Sequence, residues 1–162
     1  MSDMHSPDCH HDDAAHHGLK GQALNRALGE AQSRCMASQE RLTEPRRRVL
    51  ELLLGAGGPM KAYDLIAAYG AGGEPAKPPT VYRALEFLER QGFAHRIESL
   101  NAFVPCRLDG EGHAAAFLIC DCCGAAEEFE PDFDPGRAAA EARGYAVTSV
   151  TLEARGLCPA CR

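Results

Sequence analysis

The sequence predicts an α+β protein with two unequal units, a helical one followed by a small one built mainly of short strands. Three observations support this fold class. Apolar residues recur at helical spacing in four segments between residues 22 and 91. After Gly92 the pattern changes to short extended segments separated by turn residues. The last part, residues 113–162, is too short for a self-sufficient core, so a metal or a partner subunit must stabilise it.

The first unit, residues 19–106, is predicted to contain four helices and a hairpin. Thr43 is a suitable N-cap for the second helix, and Pro45 lies in its first turn. Pro78 starts the fourth helix and Gly92 closes it. Three helices followed by a two-stranded hairpin give the outline of a winged helix-turn-helix. The predicted elements are helices over residues 22–39, 44–54, 61–69 and 78–91 and strands over residues 93–98 and 102–106.

The remaining segments are a tail, a hinge and the second unit. Residues 1–18 are rich in His and Asp and poor in apolar residues, which predicts a disordered tail. Residues 107–112 are polar, contain two glycines and are predicted to form a hinge. In the second unit, residues 113–162, we expect strands over residues 114–120, 127–129 and 145–154 and a helix over residues 135–143.

The net charge of −6 at first argues against a nucleic-acid binder, but the charge is unevenly distributed. Residues 1–39 carry −2, residues 40–107 carry +2 and residues 108–162 carry −6. The middle of the chain is therefore mildly basic. No apolar run approaches the roughly 20 residues needed to span a bilayer, and the N-terminus has no apolar signal segment, so a cytoplasmic protein is expected.

The fourth helix has the two faces that a DNA-recognition helix requires. Arginine reaches guanine edges and phosphates, and Tyr and Thr hydroxyls suit phosphates. A surface helix with solvated charges is the alternative, and the preceding helices, the following wing and the run Arg46-Arg47-Arg48 favour DNA. The apolar stripe contains Val81, Ala84, Leu85 and Leu88, the opposite face contains Arg83, Glu86 and Arg90, and the flanks contain Thr80, Tyr82 and Phe87.

Two CxxC pairs predict a structural zinc site. Eight cysteines are many for a chain without a signal segment, and clustered thiols in a reducing compartment indicate metal or redox chemistry. Two knuckles of two thiolates each complete the tetrahedral sulfur site that zinc favours. A redox dithiol is the competing interpretation. Cys122 lies inside the first knuckle, and the expected ligands are Cys120, Cys123, Cys158 and Cys161.

A second and looser group of candidate ligands is His95, Cys106, His113 and Glu128. Nitrogen, sulfur and oxygen donors of this kind can make a tetrahedral zinc site, and this one would bridge the two units across the hinge. Taken singly, each residue has an ordinary explanation: a surface histidine, a buried thiol or one acid among several. The spacing alone leaves these alternatives open.

The sequence resembles the Fur superfamily, and most closely its zinc-uptake (Zur) regulators, over about residues 22–162. The resemblance is carried by AYDL at residues 62–65, KPPTVYRALEFLERQGFAHRIES at 77–99, FLICDCCGAAEE at 117–128 and GLCPAC at 156–161. It implies a homodimer whose subunits have an N-terminal winged-helix DNA-binding domain and a C-terminal α/β dimerisation domain.

The resemblance also implies roles for individual residues. The four CxxC cysteines fall on the ligands of a structural zinc ion. Together with a regulatory zinc ion, this gives an expected two zinc ions per subunit. His95, Cys106, His113 and Glu128 fall on the regulatory zinc ligands, with Glu127 as a rival for Glu128. Tyr82 and Arg83 fall on the helix that contacts operator DNA, and Thr80 on the flank of the same helix completes the expected DNA-binding residues. The chain lacks the His-rich stretch that iron-sensing relatives carry before the first CxxC, and a thiolate at Cys106 favours zinc over Fe(II) or Mn(II).

The expected function is therefore zinc-responsive repression of zinc-uptake genes through binding of double-stranded operator DNA. Zinc at the interdomain site would fix the dimer in the geometry that fits the operator. An iron, manganese, nickel or peroxide sensor of the same family is the alternative. A metalloenzyme is disfavoured because four protein ligands leave no open position at the metal, and neither a small-molecule substrate nor a membrane is expected.

Overall fold

The computed structural model describes residues 18–70, 76–107, 115–131, 135–148 and 150–162. These residues form two compact units that divide between Cys106 and Arg107, and each unit is described by itself below. Helices and strands are mixed, which confirms the α+β fold class. The predicted tail falls almost wholly outside the described residues, and so does most of the predicted hinge.

The N-terminal unit contains four helices around one apolar core. α1 is Gly21–Ala37, α2 is Glu44–Gly55, α3 is Ala62–Tyr69 and α4 is Pro78–Arg90. The buried side chains recur three or four residues apart, as expected for helices with one apolar face. They include Leu28, Ala31 and Cys35 of α1, Val49, Leu50 and Leu53 of α2, Leu65 of α3 and Val81, Ala84, Leu85 and Leu88 of α4.

Thr43 occupies the N-cap position of α2 but does not cap it with its side chain. Its backbone is extended, and its carbonyl oxygen accepts the first helical hydrogen bond, from the Arg47 N–H at 2.9 Å. Its hydroxyl makes no capping bond, so the predicted cap is wrong in its side-chain part. Pro45 in the first turn is placed as predicted, since proline lacks the N–H that has no partner there.

Phe87 is the residue of α4 that the sequence placed wrongly. It was expected on the flank of the helix, but it is 1% exposed and belongs to the core. The guanidinium groups of Arg46 and Arg90 lie over its ring, at 3.5 Å and 5.5 Å from the ring centre. Packing in the core and stacking of the two arginines on the ring together account for the burial of a position next to charged residues.

The wing is a three-stranded sheet, whereas the sequence predicted only a two-stranded hairpin. β1 is Met60–Lys61, β2 is Ala94–Ile97 and β3 is Ala102–Pro105, in the order β1-β3-β2 with antiparallel pairing. β1 has two residues, too few to show a periodic pattern, and pairing with β3 defines it. A short 3₁₀ turn, Glu98–Leu100, joins β2 to β3, and Asn101 ends it with φ of 48°.

The C-terminal unit is built on a second three-stranded sheet, in the order β5-β4-β6. β4 is Ala115–Cys120, β5 is Ala126–Glu128, α5 is Pro135–Glu141 and β6 is Thr151–Gly156. β5 is antiparallel to β4, and β6 is parallel to it. The prediction of the last strand over residues 145–154 was wrong at both ends. The parallel pairing with β4 sets the observed limits, and it extends to Gly156.

In the part of the chain that the structure describes, no helix combines the length and apolar character needed to cross a membrane.

Replacing Phe87 by alanine should destabilise the N-terminal unit. The substitution removes a fully buried ring and the surface on which Arg46 and Arg90 stack, so we expect a loss of about 3–5 kcal/mol in the free energy of unfolding. Urea unfolding followed by helical circular dichroism measures it. Tyr82→Ala on the exposed face of the same helix is the control and should change stability by less than about 0.5 kcal/mol. A Phe87→Ala protein as stable as this control would contradict the assignment.

Candidate functional site

The two CxxC pairs meet because β4 and β6 run in the same direction. In the parallel register Cys120 pairs with Gly156, so both strands end at the same edge of the sheet. Each strand leads directly into a tight turn. The first is closed by a 3.0 Å bond from the Gly124 N–H to the Cys120 carbonyl, and the second by a 2.9 Å bond from the Cys161 N–H to the Cys158 carbonyl. Gly124 has φ of 73°, a backbone conformation that residues other than glycine rarely adopt.

The four sulfur atoms of this cluster lie within 4.8 Å of one another. Cys123 Sγ and Cys158 Sγ are 3.9 Å apart, and the Cys158 N–H donates to Cys120 Sγ at 3.4 Å. Zinc at about 2.3 Å from four thiolates would hold them roughly 3.8 Å apart, so the donor set fits this metal. The group of four is Cys120, Cys123, Cys158 and Cys161, and it does not include Cys122.

The surroundings of the cluster separate the pKa values of its thiols. Burial raises the pKa of Cys120, but hydrogen bonds from the backbone of Cys123, Cys158 and Cys122 outweigh burial and lower this pKa to about 6. Burial and the neighbouring cysteine side chains raise the pKa of Cys161 to about 12, and burial also raises that of Cys123. Near neutral pH Cys120 is therefore a thiolate, whereas Cys161 must release its proton before it can bind a metal ion.

The outer face of α4 exposes the residues that were predicted to contact DNA. Tyr82 is 54% exposed, Arg83 is also exposed, and Thr80 is half-buried at the start of the helix. The opposite face is packed into the core, so these side chains are presented by a helix that cannot rotate freely. An exposed face with hydroxyl and guanidinium groups can donate hydrogen bonds to phosphates and base edges.

The arginine run at the start of α2 contributes less free charge than its sequence suggests. Arg46 stacks on the Phe87 ring and donates to the Arg41 carbonyl at 2.6 Å. Arg48 forms a 2.8 Å ion pair with Glu51. Two of the three guanidinium groups are therefore engaged within the protein.

Tyr63 is a second exposed tyrosine of the N-terminal unit, and the sequence analysis did not single it out. It lies near the start of α3 and is 79% exposed. The sequence signal was present, because Tyr63 falls outside the helical stripe formed by Ala62, Leu65, Ile66 and Tyr69. A tyrosine so exposed on the helix before the recognition helix is a candidate for DNA contact.

In the wing, the structure brings two of the predicted regulatory ligands together. His95 lies on β2, and the Cys106 N–H donates to the Phe93 carbonyl at 2.9 Å, which extends the β2–β3 register by one pair. In this register Cys106 is opposite Phe93, two residues before His95, so His95 and Cys106 share one face of the ladder. A ring nitrogen of His95 and Cys106 Sγ lie within 4.8 Å of each other.

Glu127 and Glu128 point to opposite faces of β5. Glu128 is opposite the fully buried Phe117, whereas the exposed Glu127 is opposite the partly exposed Leu118. The Glu128 carboxylate accepts a 2.7 Å hydrogen bond from the Arg107 N–H at the start of the C-terminal unit. Only one of the two acids can face a given site on this sheet. His113, the fourth predicted ligand, lies outside the described residues.

Comparison with known proteins connects this fold to one family. Residues 37–155 match the model of the Ferric uptake regulator family. The chain is 43% identical over 137 residues to the zinc uptake regulation proteins of Escherichia coli (strain K12) and Shigella flexneri, covering 83% of this chain and 80% of each relative.

Two solved structures are similar over most of the chain. A zinc uptake regulator complexed with zinc and DNA has a TM-score of 0.80 at 40% identity, and covers 87% of this chain and 95% of its own. Holo XcZur has a TM-score of 0.75 at 40% identity, covering 83% of this chain and 96% of its own. The fold is thus that of a metalloregulator with an N-terminal winged-helix domain and a C-terminal dimerisation domain. The chain belongs to the ferric uptake regulator family.

Replacing Cys158 by serine should remove one metal ion per chain. The serine hydroxyl does not ionise near neutral pH, so the cluster would lose one of its four anionic ligands. We expect about one zinc fewer per chain by metal analysis after dialysis, and faster amide exchange in β6. Cys122→Ser, in the first knuckle but outside the group of four, is the control and should keep its zinc. Full zinc content in Cys158→Ser would overturn the assignment.

Proposed function

We propose that this chain is a zinc-responsive, DNA-binding transcriptional repressor that controls zinc-uptake genes. The observation that carries the proposal is the division of α4 into a packed inner face and an exposed outer face with Tyr82 and Arg83, within a winged unit. The zinc-uptake regulators at 43% identity, and the similar structure complexed with zinc and DNA, support the choice of ligand and partner.

In this proposal Thr80, Tyr82 and Arg83 form the operator-binding surface. The packed face of α4 fixes their direction, because Val81, Leu85 and Leu88 are buried beneath them. Arg83 reads a guanine edge or a phosphate, while Thr80 and Tyr82 bind phosphates. The chain acts as a homodimer, so that two such helices meet the two halves of a roughly palindromic operator.

The regulatory metal is proposed to bind at His95, Cys106, His113 and Glu128. Within the wing, His95 and Cys106 already lie on one face with their donor atoms within 4.8 Å. On β5, the position of Glu128 opposite Phe117 favours it over Glu127. Zinc bound there would supply a fixed link among nitrogen, sulfur and oxygen ligands. The proposed ligands come from both units, so a metal ion bound to all of them would restrict the movement of one unit against the other. The dimer would then be held in the arrangement that fits the operator.

The four-cysteine cluster is proposed to hold a second, structural zinc ion, which gives two zinc ions per subunit. Its role is to stabilise a C-terminal unit with a small core. Buried apolar side chains in the described part of that unit are few: Ala116, Phe117, Ile119 and Cys120. A site that closes the ends of β4 and β6 would supply the missing free energy. We place the protein in the cytoplasm, where thiols stay reduced and the operator is accessible.

Arg83→Ala should weaken operator binding without changing the fold. Loss of one guanidinium contact to a base or phosphate costs about 1–3 kcal/mol, which is roughly a 5- to 150-fold rise in Kd. Fluorescence anisotropy with zinc-saturated protein and labelled operator measures it at one fixed salt concentration. Arg143→Ala, an exposed arginine after α5, is the control and should bind like wild type. An unchanged Kd for Arg83→Ala would remove α4 from the interface.

Cys106→Ala should uncouple operator binding from zinc. Wild-type protein is expected to bind the operator much more tightly with zinc than after mild chelation, whereas the variant should bind weakly in both cases. The measurement is the ratio of the two Kd values, repeated with Fe(II), Mn(II) and Ni(II) to establish which metal is sensed. The variant should retain the zinc of the four-cysteine cluster. Equal zinc dependence in Cys106→Ala and wild type would refute the coupling.

A further inference from the structure

The first cysteine knuckle is joined by an ion pair to the end of β6, the strand that leads into the second knuckle, and this pair involves none of the thiols. Asp121 lies between the two ligand cysteines of the first knuckle, directly after Cys120, and Arg155 lies three residues before Cys158. Arg155 Nε donates to Asp121 Oδ1 at 2.8 Å, and a terminal nitrogen of the same guanidinium donates to the same oxygen at 2.6 Å.

The backbone of Asp121 reinforces this contact. Its N–H donates to the Gly156 carbonyl at 2.7 Å, so Asp121 binds the end of β6 through both its main chain and its side chain. Together these are three hydrogen bonds between the first knuckle and the end of β6, and none of them involves a thiol. We call Asp121 and Arg155 the knuckle strap.

The strap is placed where it can hold the ligands in position. Parallel pairing delivers Cys120 and Gly156 side by side, but the turns that carry the other thiols extend beyond the paired residues. The first turn, with the thiol of Cys123, can move away from the end of β6 unless something fixes it there. The planar guanidinium of Arg155 donates two hydrogen bonds to Asp121 and restricts that motion. Lysine cannot reproduce the geometry of these two bonds.

We propose that Asp121 and Arg155 are positioning residues that hold the four-cysteine site assembled before metal binding and slow the release of zinc from it. The proposal rests on the structural zinc site proposed above and goes beyond it by naming residues that are not ligands. Since Arg155 and Asp121 side chains are 48% and 45% exposed, the pair is accessible to salt, and its effect should decrease as ionic strength rises.

Zinc release from the full-length, zinc-loaded chain tests the proposal. The measurement uses excess of a colorimetric chelator in a Cys106→Ala background, so that zinc in the four-cysteine cluster is followed. Arg155→Gln should release zinc about three- to tenfold faster, the range expected for a half-exposed, two-bond ion pair that supports metal ligands. Arg143→Gln, another exposed arginine of the same unit whose side chain donates to the Ala139 carbonyl, should release zinc at the unaltered rate.

A reversed pair separates positioning from a general effect on folding. Asp121→Arg combined with Arg155→Asp restores opposite charges between the first knuckle and β6, so it should recover most of the slow release that either single variant loses. Arg155→Lys should recover only part of it. In the otherwise wild-type chain, zinc-saturated Arg155→Gln should bind the operator like wild type, because the assembled site is the same once filled.

The outcomes distinguish failure of the knuckle strap from failure of the structural zinc site. If the background protein holds zinc at the cluster and Arg155→Gln releases it as slowly as Arg143→Gln, the strap is refuted and the site stands. Failure of the reversed pair to slow release would likewise exclude an ion-pair mechanism. If the background protein holds no zinc at the cluster, both the structural site and the strap are overturned.

Discussion

The parallel pairing of β4 with β6 is the constraint on which the C-terminal unit depends. Parallel strands need a crossover between them, here the segment containing α5, and they end at the same edge of the sheet. Only for that reason do two CxxC turns, far apart in sequence, present four thiols within 4.8 Å. A shift of the register by one residue would separate the knuckles and reverse the faces of β6.

In the N-terminal unit, the corresponding constraint is the packing of α4. Its apolar stripe is buried against the other helices, and Phe87 continues that packing to a position where the sequence suggests a flank. Arg46 and Arg90 cover the ring, so charges that could have served DNA binding help to fix the helix instead. The outer face, with Tyr82 and Arg83, is thereby held in one direction, and a recognition surface needs this rigidity.

Elements with a regular apolar pattern were predicted from the sequence, whereas elements defined only by strand pairing were missed or given wrong limits. The four helices were predicted to within a few residues because their apolar stripes are long and regular. The strand β1 was missed and the limits of β6 were wrong, because a strand of two residues or a half-exposed one carries no pattern apart from its partner. The assignment of Phe87 failed for a related reason: it packs in a core shared with other elements, and Arg46, which lies over its ring, comes from α2.

The sequence by itself determined the fold class through its periodicity and the family through its motifs, and it predicted the four cysteine ligands from the CxxC spacing, because all of these are local properties of the chain. Tertiary structure decided which of these residues meet. It brought the knuckles together through the β4–β6 register and placed Glu128 and Glu127 on opposite faces of β5. It also brought Arg155 within hydrogen-bond distance of Asp121. Strand register is set by distant pairing, so no local pattern encodes it, and the positions of the metal ligands follow from it.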